Sequence, residues 1–230
     1  GTMTVEGNGK LMMISGDDES LNYDVRKIVF GKGVEYLDDD MFEYYPLLEA
    51  IEVSPENPFY ASADGVFFNK DMTELAFYPR CKTTESYTIP ESVVTVKDRA
   101  FSDCRYIKEV HMPGNITTLG EGAFSGCGEL EIVELSEGIT CLPQFLFSSC
   151  SMLKTLNIPA SVEKIDTEAL IICSSLKEIN VNPENKAYKS VDGILYNKDM
   201  TELVKYPSDK KTIEYIVPDS VVKINYRSCY

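Results

Sequence analysis

Phe101, Phe124, Phe147 and Leu170 follow one another at a constant step of 23 residues, and Cys104, Cys127, Cys150 and Cys173 keep the same step. So do Ile107, Leu130, Leu153 and Leu176. A fixed period with like residues at like phase marks an array in which each unit buries its apolar face against the next copy. The array makes the 230 residues one elongated domain with nearest-neighbour contacts only. It also moves the functional question from catalysis toward surface recognition.

One full unit runs from Ile89 to Met112. Its successors align without a gap through Ile116, Ala123 and Val133, then Ile139, Leu142 and Leu156, then Val162, Ala169 and Ile179. An earlier unit holds Val34, Leu37, Phe42, Leu48 and Ile51, with Tyr45 in the cysteine column. Leu130, Val133 and Leu135 have the spacing of a leucine-rich-repeat strand. Alternation along that strand sends Val133 and Leu135 to the core and Ile132 and Glu134 outward. Stacked copies then form a parallel sheet. The Ala-Phe-Ser-x-Cys stretch is too short for a full helix and reads as a 3₁₀ segment on the opposite side. Pro90, Pro113 and Pro159 stand where strands end and a missing N–H is tolerated.

The expected fold is thus a leucine-rich repeat solenoid of the horseshoe class, β-dominated, with inserted β-hairpins. The insertions are legible as a second repeat displaced by 128 residues. Pro55-Glu56-Asn57 returns as Pro183-Glu184-Asn185, and Asn69 to Leu75 returns unchanged as Asn197 to Leu203. The β-rich flanks Val66-Phe67-Phe68 and Ala76-Phe77-Tyr78, with polar residues between them, predict a hairpin that decorates a longer repeat. The expected divisions are a hairpin cap over 1–20, a first repeat over 21–55, a hairpin insertion over 56–86, four repeats over 87–181, a second insertion over 182–215 and a partial repeat over 216–230. In the cap, Thr2 to Val5 and Lys10 to Ile14 are joined by a turn at Glu6-Gly7-Asn8-Gly9.

These elements together resemble the BspA-like leucine-rich repeat family of bacterial cell-surface proteins. The resemblance is carried by the run from Ile89 to Val110, the hairpin Asp64 to Lys70 and the segment Gly9 to Gly16. Ser136, Tyr45 and Leu170 depart from the family's usual proline, cysteine and phenylalanine. The resemblance implies a secreted or cell-surface bacterial protein, often of an anaerobic host-associated species, whose repeats mediate adhesion or protein binding. It brings no catalytic motif and no cofactor.

The residues themselves agree with a binding role. Net charge is −15, which disfavours nucleic acid, since phosphate binding needs clustered Lys and Arg. No apolar run approaches the ~20 residues of a membrane helix. No export signal opens the chain, which says little about destination because such a signal is expected outside these 230 residues. The last repeat breaks off at Tyr230, as either a cut end or an atypical native one. The column cysteines sit one strand spacing apart with parallel Cβ vectors, which suits buried thiols better than disulfides. None has the C-x₂₋₄-C spacing of a zinc site. Pairing of Cys81 and Cys141 is not readable. His111 is the single histidine, a surface residue beside Glu109 with no nucleophile converging on it. Gly31-Lys32-Gly33 lacks the other positions of a nucleotide loop.

What remains is the concave face of the sheet, whose outward residues are Glu52, Glu109, His111, Ile132, Glu134, Thr155, Asn157, Glu178 and Asn180. Solenoids bind partners on such faces. The row has no aromatic cluster, which leaves the hairpins as alternative recognition elements. The expected function is a non-enzymatic extracellular adhesion module for a protein or glycan ligand, host extracellular matrix included. The alternative is a spacer presenting another domain.

Overall fold

A computed structural model of the chain describes residues 1–7, 9–11, 22–37, 41–212 and 214–229. The chain winds as a β-solenoid in which each coil contributes two short strands, not one. Along the first ladder, Ser86–Thr88, Glu109–His111 and Ile132–Glu134 pair in parallel, with Tyr87, Val110 and Val133 opposite one another. Thr155–Ile158 and Glu178–Val181 pair likewise, Leu156 against Ile179. The second ladder uses two-residue strands, Thr95–Val96 beside Thr118–Leu119 and Cys141–Leu142 beside Lys164–Ile165. Two residues are too few to show a period of two, which is why this ladder is invisible in the sequence pattern.

The side of the coil that carries the phenylalanines is hydrogen-bonded in alternation. The N–H groups of Arg99, Phe101 and Asp103 donate to Glu121, Ala123 and Ser125 of the next coil. Those of Ala100, Ser102 and Cys104 donate three residues back within their own coil. Positive φ angles produce this alternation, at Arg99 and Asp103 and one period later at Gly122 and Gly126. Met41–Tyr44 is the 3₁₀ helix among the described residues, and the later copies are successive turns.

The predicted phenylalanine column is present. Ring centroids lie 4.8 Å apart from Tyr78 to Phe101, 4.9 Å from Phe101 to Phe124 and 5.5 Å from Phe124 to Phe147, each pair stacked. The core does not run unbroken through the whole chain, however. One apolar cluster extends from Val66 to Val204, a second holds Val25 to Phe77, and a third contains Ile194, Tyr196 and Leu203.

The hairpins make the division. Val66–Asn69 pairs antiparallel with both Tyr60–Ala63 and Glu74–Phe77. Val66, Phe68 and Leu75 face the central cluster while Phe67 and Phe77 face the N-terminal one. The second hairpin keeps this phase: Leu195 and Val204 face the central cluster, and Ile194, Tyr196 and Leu203 the C-terminal one. The two inner strands of each hairpin are therefore an internal layer with apolar side chains packed on both faces. This corrects the hairpin's reading as a decoration, since the two inner strands are mostly buried, while the first strand of each hairpin, Tyr60–Ala63 and Tyr188–Val191, is half-exposed. Three consecutive apolar residues in one strand carry that signal, since a half-exposed strand alternates.

The N-terminal segment also differs from expectation. Thr2–Val5 pairs in parallel with Lys27–Phe30, and Gly9–Leu11 in parallel with Val34–Leu37. The two strands extend separate ladders instead of pairing with each other, so among the described residues this segment is a further coil and not a hairpin. Parallel addition covers the ladder edge of the next coil, which a self-paired hairpin would leave open. Residues 12–14 of the expected second strand and Asn8 of the expected turn lie outside the described residues.

The cysteine column has a function that spacing alone did not suggest. The thiols of Cys127, Cys150 and Cys173 donate to the carbonyls of Phe101, Phe124 and Phe147 in the preceding coil, at 3.0, 3.1 and 3.1 Å. Cys104 donates to Tyr78 at 3.7 Å. Each of these side chains is a small apolar filler, and those of Cys127, Cys150 and Cys173 also satisfy a second lone pair on a carbonyl that already accepts a backbone N–H. Burial pushes the Cys104 and Cys150 thiols well above their ordinary pKa and the Cys173 thiol up to about 11. Thiolate is the reactive species, so Cys104, Cys150 and Cys173 are expected to resist alkylation at pH 8 in the folded protein, and Cys127 to resist it because its side chain is fully enclosed. Exposed Cys229 is expected to label first and half-buried Cys141 more slowly, and urea should release the rest; mass spectrometry of iodoacetamide-treated protein checks this.

Candidate functional site

The outward strand positions assemble as two adjoining ladders. Glu109 stands opposite Ile132 and His111 opposite Glu134; Thr155 stands opposite Glu178 and Asn157 opposite Asn180. Strand Ile132–Glu134 lies beside Thr155–Ile158, so these eight residues share one surface. Glu52 does not join them. It lies on the sheet of Lys27–Phe30 and Ala50–Val53, on the N-terminal side of the first hairpin, and its carboxylate pairs with Lys27 at 2.7 Å. Between Glu52 and the rest, the tip of the hairpin closes the row: the Ile51 N–H donates to the Gly65 carbonyl. Gly65 has φ +77°, and a Cβ there would come within 3.1 Å of the Ala50 Cβ. The bare backbone is what lets the tip lie against the strand.

Side chains on this surface bond mainly along the stack, coil to coil. His111 Nδ1 lies 2.9 Å from the Glu134 carboxylate and its Nε2 3.6 Å from that of Glu109. Sequence reading supplied only the Glu109 contact, although a step of one period from His111 arrives at Glu134. Asn180 Nδ2 donates to Asn157 Oδ1 at 3.2 Å, and the Thr155 hydroxyl donates to Glu178 at 3.4 Å. One residue before the strands, Lys108 pairs with Glu85 at 2.9 Å and Lys154 with Glu131 at 2.8 Å. Ile132 is the single large apolar side chain exposed among the eight.

The hydrogen bond to Glu134, more than any other contact, raises the His111 pKa above its ordinary value. A raised folded pKa means that the stabilising contact is complete below about pH 6.5 and is lost as pH rises through the folded value. The His111 ring is expected to titrate above 6.5 by NMR, and Glu134→Gln should bring the midpoint down. An unchanged midpoint in that variant would refute the pairing.

At the ends of these strands the surface opens into a groove of about 410 Å³. Glu134, Asn157 and Asn180 form one wall, and Glu137 and Asn182 close it. The last two were missed in the sequence because they follow the strand, where alternation no longer indicates direction. Glu137 accepts from the Ala160 N–H at 3.1 Å and from Asn182 at 3.4 Å. The groove thus combines these carboxylates and amides with the apolar side chains of Leu135, Ile158, Pro159, Val181 and Pro183, and its polar part suits hydrogen-bond donors and positive charge. Among the described residues no group of three His, Cys, Asp or Glu side chains has the geometry of a metal site, and no helix is long and apolar enough to cross a membrane.

Comparison with known proteins places this geometry in context. The profile of the BspA type leucine rich repeat region matches residues 70–192, in six copies. No curated protein sequence matches the chain. Among solved structures, the pneumococcal vaccine antigen PcpA is similar, with TM-score 0.69 and 22% identity over 90% of this chain and 52% of that one. A leucine rich cell surface protein of Faecalibacterium prausnitzii gives TM-score 0.63 and 28% identity over 67% of this chain and 41% of that one. A leucine-rich repeat protein of Eubacterium ventriosum gives 0.63 and 22%, over 89% and 58%. The chain therefore spans about half the length of the solved proteins it matches.

Proposed function

The chain belongs to the BspA-type leucine-rich repeat family, and from that membership we propose that it is a non-enzymatic binding module of a bacterial cell-surface protein. Its ligand is a protein or glycan outside the cell, and the contact is made on the outward strand surface around the Glu134–Asn157–Asn180 groove. The observation that carries this reading is the coincidence of the groove with the row expected from the repeat pattern. Three of its wall residues belong to that row. The location draws on the cell-surface protein of Faecalibacterium prausnitzii to which the chain is similar. The acids and amides among the lining residues favour a partner that presents basic or donor-rich side chains beside an apolar part, so binding should weaken as salt rises.

The test is a binding screen of extracellular matrix proteins and glycan arrays, followed by Asn157→Arg and Asn180→Arg on any hit. Each arginine fills the groove and reverses its charge preference, and a loss of about tenfold or more in affinity with an unchanged thermal transition is expected. Hits that ignore both variants would move the site elsewhere. No hit for this chain in either screen would reject binding. In that case the spacer reading gains, and one feature favours it: the strand-face residues already bond one another, from His111–Glu134 to Asn157–Asn180.

A further inference from the structure

A second cavity, of about 400 Å³, lies away from the strand surface. The 3₁₀ turn Met41–Tyr44, the first hairpin and the coil following Thr95–Val96 meet around it. Its floor is aromatic: Phe42 stacks on Phe77 at 4.5 Å and meets Phe67 edge-on at 5.5 Å. Its walls carry both signs of charge. Three of the charged groups are committed within the fold. Arg99 pairs with Glu43 at 2.8 Å, and Asp98 accepts the Glu121 N–H at 2.8 Å.

Arg80 is different. Its side chain is only 14% exposed, its nearest anion is Asp103 at 4.0 Å, and its Nε is buried without a hydrogen-bond partner among the described residues. A guanidinium is always charged and presents five donors in a plane, so a buried one with so little compensation favours an incoming anion. Glu74 and Glu121 also line the cavity, and their carboxylates form no ion pair among the described residues.

The duplicated unit is an internal control. Shifted by 128 residues, Asn69, Glu74 and Arg99 recur as Asn197, Glu202 and Arg227. Asn69 and Asn197 support the fold by accepting the N–H groups of Glu74 and Glu202 at 3.0 and 2.9 Å. The cavity residues diverge: Phe42, Phe77, Arg80 and Asp98 become Leu170, Lys205, Ser208 and Tyr226. The hairpin folds with either set, so the aromatic floor and Arg80 are not needed to form it.

We infer that this cavity binds a small ligand that presents a carboxylate to Arg80 and hydrogen-bond donors to Glu74 and Glu121, with its apolar part on Phe42 and Phe77. A simple anion would be repelled by the acidic walls and a simple cation by the arginines. A hexuronic acid meets the pattern with ring hydroxyls as donors, and an amino acid zwitterion meets it with its ammonium group. A volume of this size accommodates a ligand of either kind.

The experiment is an NMR titration of the isotopically labelled chain with glucuronate, glucose, alanine and propionate. Glucuronate or alanine is expected to give saturable shifts at the amides of Arg80, Asp98 and Glu121, with a dissociation constant on the order of millimolar. Glucose and propionate, each lacking one half of the pattern, should bind at least about tenfold more weakly. Whichever of glucuronate and alanine saturates identifies the donor chemistry. Arg80→Gln should weaken it about tenfold or more. Should that variant fail to fold, exposed Glu121→Gln gives the same readout with a smaller expected loss. The inference is overturned if neither probe saturates, if glucose or propionate binds as well, if the shifts lie elsewhere, or if the folded variants bind like the parent.

Discussion

Phe124→Ala is expected to destabilise the chain by about 3–5 kcal/mol, the cost of removing a large buried ring whose surroundings collapse only partly. Phe124 is fully buried, between Phe101 at 4.9 Å and Phe147 at 5.5 Å, so the void would open onto two neighbouring coils. The column itself supplies the control, because Leu170 stands in the same phase and is also buried. Phe124→Leu should therefore cost under about 1.5 kcal/mol. Exposed Phe59→Ala should stay within about 0.5 kcal/mol. Urea unfolding followed by far-UV circular dichroism measures all three. In a stack held by nearest-neighbour contacts, a weak central coil is also expected to broaden the transition, since the two sides lose cooperativity. If the alanine variant costs no more than the leucine one, the rings do not form a shared spine.

How much of this was legible beforehand depends on the kind of interaction. Apolar residues at a fixed step announce which side chains stack, because burial is non-directional and needs only the right phase. The column from Phe101 to Leu170 and the outward row from Glu109 to Asn180 were readable for that reason. Directional bonds were not. The thiol of Cys127 reaches the Phe101 carbonyl across 26 positions, one period plus three, an offset that only the folded coil reveals. The second ladder was hidden by strands of two residues. The N-terminal segment was misassigned because a Gly-rich turn between two strand-like runs signals a hairpin locally, whereas the open ladder edge of the next coil competes for the same backbone groups and wins. Arg80 could not be singled out at all, since nothing in the sequence says which arginine is enclosed.

The recurrence of Pro-Glu-Asn was visible, but the reason for it was not, and it leads to the second large effect. Asn57 and Asn185 are fully buried polar residues, each placed just before a hairpin. Asn185 Nδ2 donates to the carbonyls of Pro159 and Val162 at 2.8 and 2.9 Å, and its Oδ1 accepts the N–H groups of Ala187 and Tyr188 at 2.9 and 2.7 Å. Asn57 repeats the set with Gly31 and Val34 as acceptors and Phe59 and Tyr60 as donors. Four bonds use the full capacity of a carboxamide, and they tie the turn of one coil to the first hairpin strand of the next. Asn185→Ala removes four hydrogen bonds at once and leaves the buried Val162 carbonyl and the half-buried Ala187 and Tyr188 N–H groups without this partner, while the Pro159 carbonyl keeps the Val162 N–H at 3.4 Å. The expected cost is about 3–5 kcal/mol.

Asn185→Asp separates that explanation from simple loss of volume. The carboxylate keeps the two acceptor bonds, loses both donors and faces the carbonyls of Pro159 and Val162, so its protonated form is favoured in the folded state. A pKa raised above the unfolded value gives a contribution present at low pH and lost as pH rises through the folded value. Relative to the parent at each pH, the aspartate variant should therefore be least destabilised near pH 4 and progressively worse toward pH 8, while the alanine variant shows no such trend. Chemical denaturation of both variants across that range decides it. A flat profile for the aspartate variant would mean that the side chain has turned out of the carbonyl pair, and the tie between coil and hairpin would then rest on packing.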